Sequence, residues 1–103
     1  METIEIRHDG LAALPGNKPW AVVGVVASGN LEILLERAAP PDACTVRIET
    51  SAEGFAPVWQ AVIRDLVARN AAGGLRIAIN DGGARPDTVM LRLLQGLSMM
   101  AGA

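Results

Sequence analysis

Residues 44–50, Cys44-Thr45-Val46-Arg47-Ile48-Glu49-Thr50, alternate without a break: Cys44, Val46, Ile48 and Thr50 fall on one face, and Thr45, Arg47 and Glu49 on the other. Successive side chains of a strand point to opposite faces, so this period of two predicts a strand with one covered side and one wet side. The next patterned stretch has a different period. Phe55, Val58, Trp59, Val62, Ile63, Leu66 and Val67 are spaced by three and one in turn, with Gln60, Arg64, Asp65 and Arg69 opposite them. That spacing gathers the apolar residues into one helical stripe. Pro57 suits the first turn of the helix, where no amide hydrogen is needed, and residues 70–74 (NAAGG) stop it. Leu75 to Asn80 returns to period two, with Leu75, Ile77 and Ile79 on one side.

Further along, Asp81-Gly82-Gly83 breaks this strand. Pro86 and Asp87 then open a last helix, the aspartate complementing the positive end of the helix dipole. Met90, Leu93, Leu94 and Leu97 form its expected buried stripe. Upstream, Leu31 to Glu36 (LEILLE) alternates, and Trp20 to Ala27 (WAVVGVVA) is the continuous β-branched run expected of a strand buried on both faces. Ser28-Gly29-Asn30 between them reads as a hairpin turn, because glycine and asparagine tolerate positive φ. Thr3 to Arg7 reads as a short, half-buried edge strand. Leu11 to Pro19 is a loop marked by Pro15-Gly16-Asn17, and Ala38 to Ala43 is a surface connection through Pro40-Pro41. The order β-β-β-β-α-β-α predicts an α+β fold: a single domain over residues 1–103, with a mostly antiparallel sheet and two helices packed on one face. The short Pro40-Pro41 connection suits antiparallel pairing of the third and fourth strands; the pattern leaves the rest of the strand order open.

The 103 residues carry a net charge of −2 and their basic residues are scattered. Nucleic-acid binding calls for a basic stripe that displaces counterions, so no nucleic-acid partner is expected. The longest apolar run, Trp20 to Ala27, falls far short of the roughly 20 residues a membrane-spanning helix needs, so no direct membrane insertion is expected either. The opening METIEIRHDG lacks the basic-then-apolar form of a secretory leader. One cysteine, Cys44, excludes an internal disulfide framework, and a reducing cytoplasm is the expected compartment. Folding a chain of this size removes roughly 65% of its unfolded surface from water, enough for a core without metal or disulfide support. With only two Trp and one Phe, that core must be aliphatic.

Few residue types here can do chemistry. The single His (His8) and single Cys (Cys44) have no partner of their own type at metal-ligand spacing, so no metal site is expected. Cys44 sits on the inward face of its strand and reads as a buried structural thiol, and His8 as the end of a strand in a solvated turn. Ala27-Ser28-Gly29 lacks the glycine two residues before the serine that a nucleophile elbow requires, and His8 is the sole candidate base. Asp81-Gly82-Gly83 lacks the lysine of a phosphate-binding loop. The chain is therefore not expected to be an enzyme by itself. Two loops remain, Ser28-Gly29-Asn30 and Asn80 to Ala84. Turns select such residues in any case. A serine at a hairpin tip is nevertheless accessible to a modifying enzyme, and Gly29 lets that enzyme approach the backbone.

Several of these stretches match a known pattern. Residues 22–34 (VVGVVASGNLEIL) resemble the modification segment of the malonate decarboxylase acyl-carrier (delta) subunit family: a valine-rich strand, Gly-Ser-Gly-Asp, then Leu/Met-Glu-Val-Leu. Residues 50–55 (TSAEGF) and 58–62 (VWQAV) are similar to the segment that opens the family's first helix. Residues 79–86 (INDGGARP) look like its Asn/His-Asp-x-Gly-Ala-x-Pro loop, and Leu91-Arg92-Leu93 like the Leu/Ile-Arg-Leu/Ile that follows. Ala27 stands where the family usually has glycine, and Asn30 where it usually has aspartate.

The resemblance covers nearly the whole chain and implies a non-catalytic carrier. Ser28, flanked by Gly29 and Asn30, would hold 2′-(5″-phosphoribosyl)-3′-dephospho-coenzyme A through a phosphodiester, and the terminal thiol would carry acetyl and malonyl. The implied partners are the transferase and decarboxylase subunits and the enzyme that transfers the prosthetic group. Tethering raises the effective concentration of the acyl group at each of these sites. Asp81 is the second expected site residue, its carboxylate ordering the loop beside the attachment hairpin or meeting a partner subunit. Two other readings are a citrate lyase-type acyl carrier and a small α+β interaction module in which Ser28 is only a turn residue. Helical phosphopantetheine carriers are disfavoured, because no Asp-Ser-Leu triplet occurs.

Overall fold

The computed structural model describes residues 1–24 and 31–102. Its elements follow the expected order: β1 (Glu2–His8), β2 (Trp20–Val23), β3 (Leu31–Glu36), β4 (Cys44–Thr50), α1 (Ala56–Arg69), β5 (Leu75–Asp81) and α2 (Pro86–Met100). The strands make one sheet in the order β1-β4-β5-β3-β2. Three of its four pairings are antiparallel, and β4–β5 is parallel. A parallel pair needs a long crossover, which α1 supplies.

This arrangement corrects one expectation. β3 and β4 are not neighbours, because β5 lies between them, antiparallel to β3 and parallel to β4. The short Pro40-Pro41 connection therefore crosses the end of β5, and Gly74, just before β5, accepts from Ala39 N–H and donates to Ala43 O. The central position suits β5, whose Leu75, Ile77 and Ile79 are all buried.

One face of the sheet is covered and the other is wet. Leu31, Ile33 and Leu35 of β3, Cys44, Val46 and Ile48 of β4 and the three inward residues of β5 form the core layer. Burying such aliphatic side chains contributes roughly 1.5–3 kcal/mol each. The wet face carries exposed ion pairs, Arg47 to Glu5 and Arg76 to Glu36, both at 3.0 Å. Exposed pairs of this kind contribute little to stability. Helix α1 packs on β1 and α2, and helix α2 on β2 and β3.

Two further expectations change. Trp20 to Ala27 was expected to be a strand buried on both faces, but β2 runs over Trp20–Val23 and is the second edge strand. Ala21 and Val23 are buried, while Trp20 and Val22 face solvent. With the described helices on one face of the sheet, an edge strand is covered on that side alone, however apolar its residues. Val25 to Ala27 lie outside the described residues. In α2 the buried face is Val89, Leu93, Gly96, Leu97 and Met100, and Leu94 is exposed. Gly96 sets the rotation, since a Cβ there would stand 2.6 Å from Leu35 Cδ1. The helix therefore turns its glycine toward β3 and carries Leu94 beyond the contact.

The loop before β2 is held by backbone bonds, Leu14 N–H to Gly73 O and Gly73 N–H to Ala12 O, and Leu14 is buried. Arg37, just after β3, adds four side-chain bonds. Its guanidinium donates to the carbonyls of Lys18 (2.9 Å), Leu14 (2.8 Å), Pro15 (2.8 Å) and Met100 (2.6 Å). A cation at a helix C-terminus also opposes the negative end of the dipole, here that of α2.

Candidate functional site

The strand register sets Asp81, one of the sequence-predicted site residues, at one end of the sheet. Asp81, the last residue of β5, pairs with Thr50 at the end of β4 and with Leu31 at the start of β3. Both polar residues are buried, Thr50 fully. The Asp81 carboxylate accepts from the Thr50 hydroxyl (2.8 Å, to Oδ2) and from the Ala84 backbone N–H (2.8 Å, to Oδ1). The Thr50 hydroxyl oxygen in turn accepts from Ala52 N–H at 3.1 Å, and the Asp81 carbonyl accepts from Ser51 N–H at 3.0 Å. One carboxylate thus joins the two loops that lead into α1 and α2. Ordering of its own loop through a backbone N–H is what the sequence suggests for Asp81.

Between those two loops lies a cleft. It has a volume of about 180 Å³, with Phe55, Val58 and Trp59 on the α1 side, Ala84 and Val89 on the α2 side, and Asp81 at its margin. Its lining is almost entirely apolar. Trp59 is nearly buried, whereas Phe55 is half exposed and Val58 is 39% exposed, so the mouth opens to solvent.

Ser28, Gly29 and Asn30 lie outside the described residues. Their described flanks are Gly24 and Leu31. Gly24 has φ +95°, and a Cβ there would overlap the Leu31 carbonyl oxygen, so only glycine fits where β2 ends. Three peptide links span at most about 11 Å, which bounds the separation of position 28 from Leu31, and Leu31 is the register partner of Asp81.

The other candidates stand apart from this end. Cys44 begins β4 at the far end of the sheet, is fully buried, and pairs with His8 of β1. Burial pushes its thiol up to about 11, away from the thiolate form a nucleophile requires. Among the described residues, no three His, Cys, Asp or Glu side chains are grouped as a metal ion would need. No described helix is long and apolar enough to cross a membrane. Sequence reasoning did not single out Thr50 or the cleft. A threonine ending the inward face of an otherwise apolar strand was the available signal, since a buried hydroxyl requires a partner.

The model for the malonate decarboxylase delta subunit (MdcD) matches residues 18–100. The chain belongs to that acyl-carrier family. Similar relatives are the malonate decarboxylase acyl carrier proteins of Bradyrhizobium diazoefficiens (52% identical over 101 residues, covering 98% of this chain and 96% of that one) and Stenotrophomonas maltophilia strain K279a (52% over 103 residues, 99% and 97%). A chain in the crystal structure of a Pseudomonas malonate decarboxylase hetero-tetramer in complex with malonate superposes with a TM-score of 0.83 at 38% identity, covering 97% of this chain and 99% of that one. Within this delta-subunit family member, the 18–100 match contains position 28, the Asp81 loop and both walls of the cleft.

Proposed function

We propose that this chain is the acyl-carrier subunit of malonate decarboxylase and holds 2′-(5″-phosphoribosyl)-3′-dephospho-coenzyme A through a phosphodiester on Ser28. The observation that carries this reading is the family match across residues 18–100, together with the serine at position 28 inside the motif segment 22–34. The register adds support, because it pairs Asp81, at the margin of the apolar cleft, with Leu31, three residues after Ser28. The antiparallel pair β2 and β3 precedes and follows residues 24–30 in the chain.

The residues present fit such a group. An anchoring serine needs a hydroxyl and no catalytic base, and Ser28 has Val26 where a nucleophile elbow requires glycine. When bound, the group supplies a thiol that carries acetyl and malonyl as thioesters, whose carbonyl stabilises the negative charge left as carbon dioxide departs. Ser28 Oγ is the anchor and is not consumed in turnover. Gly24 ends β2 by turning at positive φ, and Asp81 holds the adjoining loop in shape. In this role the subunit visits the transferase and decarboxylase subunits, after a separate enzyme has attached the group, and works in the cytoplasm.

Intact mass spectrometry of the chain from its native host, grown on malonate, tests the reading. A nucleotide-containing added mass is expected, and it disappears in Ser28→Ala. An unmodified chain in those cells, or an added mass that survives Ser28→Ala, overturns it.

A further inference from the structure

We propose that the cleft between α1 and α2 shelters the acyl end of the carrier's own arm when it bears acetyl, and excludes it when it bears malonyl. The inference rests on the carrier reading above and adds a binding site for the acyl group on the carrier itself.

Position, size and chemistry converge on this occupant. The arm is anchored within about 11 Å of Leu31 by covalent reach, and Leu31 pairs with Asp81, which stands at the margin of the cleft. The cleft holds about 180 Å³. At roughly 30 Å³ per water that is the space of about six waters, enough for an acetyl thioester and the first methylenes behind it. Val58, Trp59, Ala84 and Val89 give those atoms an apolar lining.

A malonyl group of nearly the same size differs by one carboxylate. None of the cleft-lining residues is a lysine or arginine. The one charged group there is Asp81, whose two oxygens already accept hydrogen bonds from Thr50 and Ala84. A second carboxylate would lose its hydration beside a like charge, with no cation in the lining to offset either cost; the neighbouring Arg85 is exposed and pairs with Asp87 at 3.4 Å. The acetyl arm is therefore held against its own subunit, and exchange to malonyl releases it into solvent, where a partner subunit can take it. The acyl state becomes readable as an arm position.

The test uses the isolated, modified full-length chain in its acetyl and malonyl forms, each confirmed by intact mass, with cleavage of the thioester by hydroxylamine as the readout. Sheltering slows cleavage of the acetyl form about fivefold relative to Ala52→Leu, which fills the cleft; that ratio is about 1 kcal/mol at 1.4 kcal/mol per tenfold. The malonyl form is cleaved at the same rate in both proteins. Val58→Phe fills the cleft from the other wall and repeats the comparison, and thermal melting confirms that each variant is folded. In a Trp20→Phe background, Trp59 emission shifts on acetylation and not on malonylation.

Equal acetyl cleavage rates in wild type and both filled variants, with the acetyl mass confirmed, overturn the cleft proposal and leave the Ser28 reading standing. Equal protection of malonyl overturns the discrimination. Filled variants that keep wild-type cleavage rates yet bind the other decarboxylase subunits more weakly show a partner-docking surface instead, and also overturn it. Absence of any added mass is the distinct failure of the carrier reading.

Discussion

Replacing Asp81 separates its two hydrogen bonds and measures how firmly the site end is held. In Asp81→Ala the Ala84 N–H loses a charged acceptor at 2.8 Å, and the Thr50 hydroxyl loses its partner at 2.8 Å. The two losses are unequal. Thr50 Oγ1 also lies 3.4 Å from the Ala52 carbonyl, so its proton can turn there, whereas the half-buried Ala84 N–H has no second acceptor among the described bonds. A lost bond to a charged group costs about 1.5–3 kcal/mol and a redirected neutral one less than 1, so the total is about 2–4 kcal/mol.

Asp81→Asn keeps the shape. Its amide oxygen can serve Ala84 while its NH₂ faces the Thr50 oxygen, so only the charge assistance is lost, about 1 kcal/mol. Urea unfolding monitored by tryptophan fluorescence reads the difference, with the alanine midpoint lower by roughly 1–2 M at the slopes usual for small proteins. Thr50→Val should couple with Asp81→Ala, the double variant losing less than the sum of the singles. A cost below about 0.5 kcal/mol for Asp81→Ala, within the range of an ordinary surface change, would refute the reasoning. So would an Asp81→Asn as damaging as the alanine.

Arg37→Ala removes four donors at once, two of them from half-buried carbonyls, Leu14 and Met100. The expected loss is about 2–3 kcal/mol in chemical unfolding, with Arg37→Lys recovering less than half, because an ammonium cannot reproduce the fork; a full rescue by lysine contradicts this account. Stability should also fall at alkaline pH through Cys44. Its folded thiol is raised from 9.0 to about 11, so between those values the unfolded chain releases a proton that the folded chain keeps. The contribution is complete below the lower value and declines as pH rises, by up to roughly 1.4 kcal/mol per pH unit. Unfolding titrations of wild type and Cys44→Ala between pH 8 and 11 should diverge accordingly, and parallel curves would exclude the mechanism.

The legible parts of this fold are those in which a local period meets a single covered face. Cys44, Val46, Ile48 and Thr50 fall inward as the alternation predicts, and Trp59, Ile63 and Leu66 bury as the helical spacing predicts. Hydropathy misled where an apolar residue faces water, as Trp20 and Val22 do on an edge strand. Leu94 fits the period, yet it lost its place to Gly96, whose close approach to Leu35 decides the rotation of α2. The insertion of β5 between β3 and β4 is a long-range pairing that no local pattern encodes. Arg37 was equally hidden, since its acceptors are main-chain carbonyls, which every residue type possesses. At the site, Asp81 was visible through its loop motif. Thr50 carried only the quiet signal of a polar group on an inward face.

The place of β5 in the sheet also sets an order of events in time. β2 and β3 can pair as soon as both are made, but the inner edge of β3 stays open until β4 and α1 have been synthesised and β5 slots in beside it. Such non-local closure is the slow part of folding. Helix α2 must then dock, and its end is secured by Arg37, which waits just after β3 for Met100 to arrive. The end of the sheet that holds Asp81 and Leu31 is therefore assembled late. On a ribosome, an enzyme that recognises this end of the sheet as a folded surface would find its target only after the chain has emerged past Met100, so chains cut short before that point would be left unmarked.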